Sequence, residues 1–234
     1  ERPEDFEIFI RMLSGRGWDV RAEAVKALGA LAQPKAVEPL LDRMGTMPQS
    51  VRTITEEALR KLGVSNVERA LLARLKSEDA KVRTNVVRAL ASATSAAAID
   101  GLIGALDDED GGVRYQAAYA LARKGEPAAK KKMLALLGEQ RLNWVIGYYL
   151  RRVGGSAEAE MLIRLAEDPK SSDDVRRSAM YALRYLRTDE VRDFLVKHIK
   201  DASSPLRTEA IGVMASHRAP EALDVLIGAL QDED

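Results

Sequence analysis

The stretch "GLIGALDDED" at residues 101–110 returns almost unchanged as "VLIGALQDED" at 225–234, four steps of thirty-one residues further along the chain. Self-similarity at such a period marks an array of small units, each unable to bury its own apolar face alone. Working outward from this pair, seven copies are found, anchored at Val20, Val51, Val82, Val113, Leu142, Val175 and Leu206. Arginine follows the anchor at Arg21, Arg52, Arg83, Arg114, Arg176 and Arg207; only Asn143 breaks the series. One step is twenty-nine residues and the next thirty-three, because the turn "EQR" is short and "PKSSDD" is long. Anchoring the fifth copy at Trp144 would even out the steps but would turn Arg151 and Arg152 inward, so Leu142 is the better anchor.

Counting from the anchor as zero, apolar residues recur at 0, +4, +5, +7, +8 and +11, as in Val20, Ala24, Val25, Ala27, Leu28 and Leu31. That is the stripe of an amphipathic helix. A second apolar helix follows each one, as in "AVEPLLDRM", "VERALLARL", "AAIDGLIGAL" and "VRDFLVKHI". The connectors carry Gly, Pro, Asp or Ser, with Ser65, Ser95, Ser156 and Asp110 as cap candidates. No segment alternates as a strand does. The chain therefore reads as all-α: one unpaired helix over 4–14, then helix pairs led from near 20, 51, 82, 113, 142, 175 and 206, in a single domain over 1–234. Stacking the pairs builds the continuous core that one pair cannot.

The pattern "DEDGGVRYQAAYAL" at 108–121, followed elsewhere by helices such as "AVEPLLDRM", resembles a HEAT repeat of the phycobilisome-lyase subtype. The resemblance covers essentially the whole chain. It implies a right-handed α-solenoid of about seven helix pairs with the Val-Arg helices lining a concave surface. It also implies a ladder along the stack between the helix arginines and turn aspartates, the latter matched at Asp79, Asp110 and Asp173.

With 46% apolar and 31% charged residues the chain folds around a core. Thirty-six basic residues balance thirty-six acidic ones, so no global field draws it to nucleic acid or an anionic membrane. It has no cysteine, which removes disulfides, thiolate metal sites and cysteine nucleophiles. No apolar run approaches a membrane span, and no export signal is legible. The expectation is a cytoplasmic chain, either a mature form or an excised part of a longer protein.

On the helical wheel, positions +2, +6 and +10 lie opposite the apolar stripe. The first three copies put Ala22, Lys26, Ala30, Thr53, Glu57, Lys61, Thr84, Arg88 and Ser92 there; the seventh puts Thr208, Gly212 and Ser216. The fourth to sixth differ sharply, with Tyr115, Tyr119, Arg123, Trp144, Tyr148, Arg152, Arg177, Tyr181 and Tyr185. Five of the six tyrosines and one of the two tryptophans occupy this grid, which is the composition of a binding hot spot. Gln116 adjoins it. The remaining tyrosine, Tyr149, falls on the apolar stripe and is expected in the core, with Gly147 making room for it. Three stacked copies span roughly 20–30 Å, the width of a peptide, a helix or a protein edge. Three arginines with no acid among the nine favour a partner that presents carboxylates or phosphates beside apolar groups.

The expected function is a non-catalytic scaffold holding a protein or peptide partner in the groove of copies four to six, or another domain of a longer chain. The subtype resemblance implies an alternative, a bilin lyase-like subunit with a tetrapyrrole on the same rings and arginines. Nucleic acid is the weakest reading, and a membrane is not expected. No cofactor or metal is expected either: His198 and His217 stand in different copies without the His-Glu pairs of the HEAT-like iron hydroxylases. There is no nucleophile-base set and no phosphate-binding glycine loop. The acid runs Asp108, Glu109, Asp110 and Asp232, Glu233, Asp234 read as helix-start acids, Lys130–Lys132 as a solvated face and Trp18 as packing at the end of the first copy.

Overall fold

The computed structural model describes residues 3–217 together with Val225, Ile227 and Gly228. The returning stretch at 225–234, with its acids Asp232, Glu233 and Asp234, therefore lies largely outside the described residues. Among those residues there are fourteen α-helices and no strand. The unpaired helix is α1 (Pro3–Met12), two residues shorter at its end than the sequence pattern suggests. The Val-Arg helices are α2 (Trp18–Leu31), α4 (Gln49–Lys61), α6 (Ala80–Leu90), α8 (Gly111–Lys124), α10 (Asn143–Val153), α12 (Asp173–Leu183) and α14 (Arg207–His217). Between them run α3 (Val37–Arg43), α5 (Val67–Arg74), α7 (Ala96–Gly104), α9 (Lys130–Ala135), α11 (Ser156–Glu167) and α13 (Asp189–Lys200).

The chain forms two compact units, Glu1–Ala120 and Leu121–Asp234, and the division falls within α8. In the first unit, α1 packs on α2, α2 on α4, and α5 on both α6 and α7. In the second, α10, α12 and α14 follow one another as one layer, while α11 and α13 pack together as the other. The apolar stripe accounts for this. Position +8 is buried in all seven copies, at Leu28, Leu59, Leu90, Leu121, Leu150, Leu183 and Met214, and position +4 is buried throughout, including Thr55. Thr55 is tolerated there because its hydroxyl donates to the Val51 carbonyl at 2.8 Å. Val20 departs from the pattern, at 38% exposed, because the first copy has only α1 in front of it. In the fifth copy Leu142, Ile146 and Leu150 are buried while Arg151 and Arg152 are exposed, so the Leu142 register holds.

The helix starts are capped by short polar side chains, though not always the ones the sequence suggests. Ser95 accepts from Ala98 N–H at 3.0 Å, and Asp110 accepts from Gly112 and Val113. At α5 the cap is Asn66, accepting from Arg69, rather than Ser65. Ser156 is already inside α11, and Glu158 accepts from the Gly155 N–H instead. Two glycines permit close approach. A Cβ at Gly45 would lie 1.8 Å from the Asn85 carbonyl oxygen, and one at Gly147 would lie 2.3 Å from the Tyr185 ring. Gly147 thus makes room for Tyr185, two residues beyond the end of α12, not for Tyr149.

Candidate partner-binding face

The repeat arginines build the frame. Rather than pairing with the aspartates of their own turns, most reach back to backbone carbonyls of the segment before their helix. Arg21 donates to Gly15, Arg83 to Ser77 and Glu78, and Arg114 to Asp108 and Glu109. Arg176 donates to Ala166 and Arg207 to Ile199, each in the last turn of the preceding helix, where carbonyls lack partners within the helix. Arg52 points the other way, to the Arg88 carbonyl at 3.3 Å. Asp79 and Asp110 cap α6 and α8 through backbone N–H groups, and Asp173 stands 3.7 Å from Arg176. The aspartate that does join a repeat arginine to the next turn is Asp108, held by Arg83 through two bonds of 2.8 Å. Burial alone would raise the Asp108 carboxyl, but the bonds from Arg83, with help from the Asp110 N–H, hold it below the ordinary carboxylate range.

The grid residues lie on α8, α10 and α12, except Tyr185, which stands in the turn just after α12. Tyr115, Gln116 and Tyr119 stand on the part of α8 that belongs to the first unit and are half-buried. The others belong to the second unit. There Arg123, Trp144, Arg152 and Arg177 are exposed, while Tyr148, Tyr181 and Tyr185 are half-buried. The tyrosines therefore do not stand straight out from the helices but lie along the surface. Tyr181 and Tyr185 have ring centres 5.8 Å apart and share a hydroxyl hydrogen bond of 3.2 Å. Burial, joined by that bond, pushes the Tyr185 phenol up to about 12, with the charges of Arg184 and Arg151 acting against it. The Arg151 guanidinium lies over the Tyr148 ring at 5.2 Å and that of Arg184 over Tyr181 at 5.5 Å. Tyr149 is fully buried and donates to the Glu126 carbonyl at 2.7 Å.

A cavity of about 470 Å³ brings three grid residues, Trp144, Arg177 and Tyr181, together with Gln140, Asn143, Asp174 and Ser178. Its edge is fixed by Asp174, which accepts from Arg177 at 2.8 Å and from Gln140 at 3.2 Å, and whose carboxyl is held low by those two bonds. Its floor is unusual. Asn143 Oδ1 and Ser178 Oγ are buried there without a hydrogen-bond partner. Asn143 stands where the other copies carry the repeat arginine, so the one break in the sequence series falls at this cavity, with its Oδ1 covered. Position +3, which supplies Ser178, carries no consistent residue type across the copies, and periodicity does not mark it.

The remaining candidates find structural partners. Trp18 is not packed into an end; it is 47% exposed with the Arg21 guanidinium 4.3 Å from its ring centre. Lys130 is drawn from solvent by Glu158 at 2.9 Å, so the basic run is not uniformly solvated. His198 bonds Ser204 at 2.7 Å and Glu167 at 3.2 Å; His217 is buried against the Leu183 carbonyl at 3.3 Å, with burial lowering its pKa. No group of three or more His, Asp or Glu side chains placed to hold a metal occurs among the described residues. None of the described helices is long and apolar enough to cross a membrane.

The family model for HEAT repeats matches residues 2–60, 68–147 and 159–234, most of the chain. The chain belongs to the HEAT-repeat family. No curated protein matches it significantly. Among solved structures it is similar to two engineered proteins from a structural genomics consortium. The first is 17% identical, with 96% of this chain and 82% of that one covered and a TM-score of 0.40. The second is 19% identical, with 98% and 90% covered and a TM-score of 0.25. A HEAT-repeat scaffold is consistent with a protein-binding role.

Proposed function

We propose that the chain is a non-catalytic scaffold that binds an extended segment of a protein partner on the outward face of α10 and α12, with Tyr115, Gln116 and Tyr119 of α8 continuing the same sequence grid. The observation that carries this reading is the cavity under Trp144 and Tyr181. Its ring walls suit an apolar side chain, Arg177 at its edge gives one donor to Asp174 and keeps others for a partner's acceptor, and two polar atoms of its lining residues are buried without a partner. A buried acceptor without a donor costs about 1–3 kcal/mol, and the N–H groups of an extended peptide would meet that cost where seating the peptide shifts the side chains covering the two atoms.

Affinity capture with the intact protein and with a Trp144→Ala, Tyr181→Ala variant tests the reading, provided that the variant melts as cooperatively as the parent. The expected result is a protein partner held by the parent and lost by the variant. Identical captures from both would sink the proposal. An absorbance scan of the captured material separates out the tetrapyrrole alternative, which would appear as a visible band that disappears with the same substitutions.

A further inference from the structure

A second cavity, of about 620 Å³, lies at the other end of α10 and α12 and is lined by Leu150, Arg151, Gly154, Arg184, Tyr185, Leu186, Arg187 and Thr188. It shares no residue with the cavity at Trp144. Arg151 and Arg184 both occupy position +9 of their copies, so the repeat itself sets the two side by side; the fourth and seventh copies have Ala122 and Ala215 there. Arg187 follows Arg184 by three residues, just beyond the end of α12.

No carboxylate lines this cavity. Among the described residues none of the three arginines is in a salt bridge, and the nearest acid in sequence, Asp189, is held by Arg192 at 2.8 Å. The chain as a whole is electrically balanced, so three arginines in the lining of one recess with no carboxylate among them is a local choice of the sequence, Glu190 standing behind the wall against Thr188. Their positions are also ordered. Arg151 and Arg184 lean over the rings of Tyr148 and Tyr181, which limits how far each fork swings. Tyr185 and Thr188 complete the same wall, the Tyr185 hydroxyl bonded to Tyr181 and the Thr188 hydroxyl buried.

We propose that this recess is a binding site for a phosphate monoester dianion. Counting donors and acceptors decides between anions. A carboxylate has two oxygens, and a single arginine fork occupies both. Three forks need an anion with more acceptor oxygens and more than one charge; a monoester offers three terminal oxygens and close to two charges near neutral pH. A diester has two terminal oxygens and one charge, and is a poorer match. The two plausible carriers share the chemistry: a free phosphorylated small molecule, and a phosphorylated side chain of a protein.

The test is calorimetric titration at constant ionic strength with inorganic phosphate, dimethyl phosphate, acetate and the short blocked peptide acetyl-Gly-phosphoserine-Gly-amide. Saturable binding of inorganic phosphate is expected, about tenfold or more tighter than that of dimethyl phosphate or acetate. It should weaken about tenfold in Arg184→Gln and again in Arg184→Gln, Arg187→Gln, with Arg184→Lys intermediate because it keeps the charge and loses the fork. All three arginines are exposed, so the variants keep the parent's melting curve, and this is checked first. A phosphopeptide tighter than inorganic phosphate identifies the carrier as a modified side chain; equal affinities identify a free phosphorylated molecule. No saturable binding of phosphate, or binding that is unchanged by the substitutions, overturns the site. Neither result bears on the Trp144 cavity, whose residues are untouched.

Discussion

Tyr149 shows how much one residue can reveal in a repeat protein. Position +7 holds alanine in five of the other six copies, and a tyrosine there is tolerable only if its hydroxyl finds a partner inside. The partner is the Glu126 carbonyl at 2.7 Å. Tyr149→Phe should destabilise the protein by about 1–2 kcal/mol at pH 8, since the carbonyl is left unmet. Burial, aided by the charges of Glu126 and Glu158, raises the phenol to about 12 in the folded protein from 10.0. A folded value above the unfolded one means that the neutral ring's contribution is intact below pH 10 and is lost as pH climbs toward 12. The deficit of the Phe variant should therefore shrink over that window, and melting curves of both proteins from pH 8 upward check it; a constant difference would contradict the assignment. Tyr149's burial was legible in the sequence because the periodic stripe assigns it. Its partner was not, because a carbonyl in the preceding connector carries no side-chain signal.

Among the elements, the contact of α10 with α12 is the one that shapes both cavities. The Tyr185 ring comes so close to Gly147 that a Cβ there would stand 2.3 Å from two ring carbons. Gly147→Ala should cost about 1–3 kcal/mol by overpacking. The damage should be smaller in Gly147→Ala, Tyr185→Leu than the sum of the two single changes, because the smaller side chain vacates the disputed space. Urea titrations of the four proteins measure this, and additive losses would show that the glycine serves something other than the ring. The helices themselves were readable from a period of 3.6 residues and their order from a step of thirty-one. Two features were not: that the grid tyrosines lie along the surface, and that most of the repeat arginines reach back to backbone carbonyls, with the predicted Asp173 found in an ion pair beside Arg176. Both depend on side-chain direction and on turn geometry, for which residue spacing along a helix supplies no term.

At the scale of the molecule, the chain's two tryptophans fall one in each compact unit, Trp18 in the first and Trp144 in the second. Stability in repeat arrays is a sum of local and nearest-neighbour terms, so a lesion should be felt first where it is made. Arg83→Ala, which strands Asp108 without its partner, should lower the urea midpoint seen by Trp18 in a Trp144→Phe background by about 1 M or more. The midpoint seen by Trp144 in a Trp18→Phe background should move less. Equal shifts from the two reporters would mean that the units unfold as one. The backward reach of the arginines has a consequence for how such a chain lengthens. Arg21, Arg83, Arg114, Arg176 and Arg207 each satisfy carbonyls of the segment directly before their own helix. A thirty-one-residue cassette therefore brings its own joint with it. Tandem duplication of such a cassette would carry the arginine's backbone bonds into the new seam, whereas a copy without the arginine, as at Asn143, puts a different side chain at the joint, here one that lines a cavity.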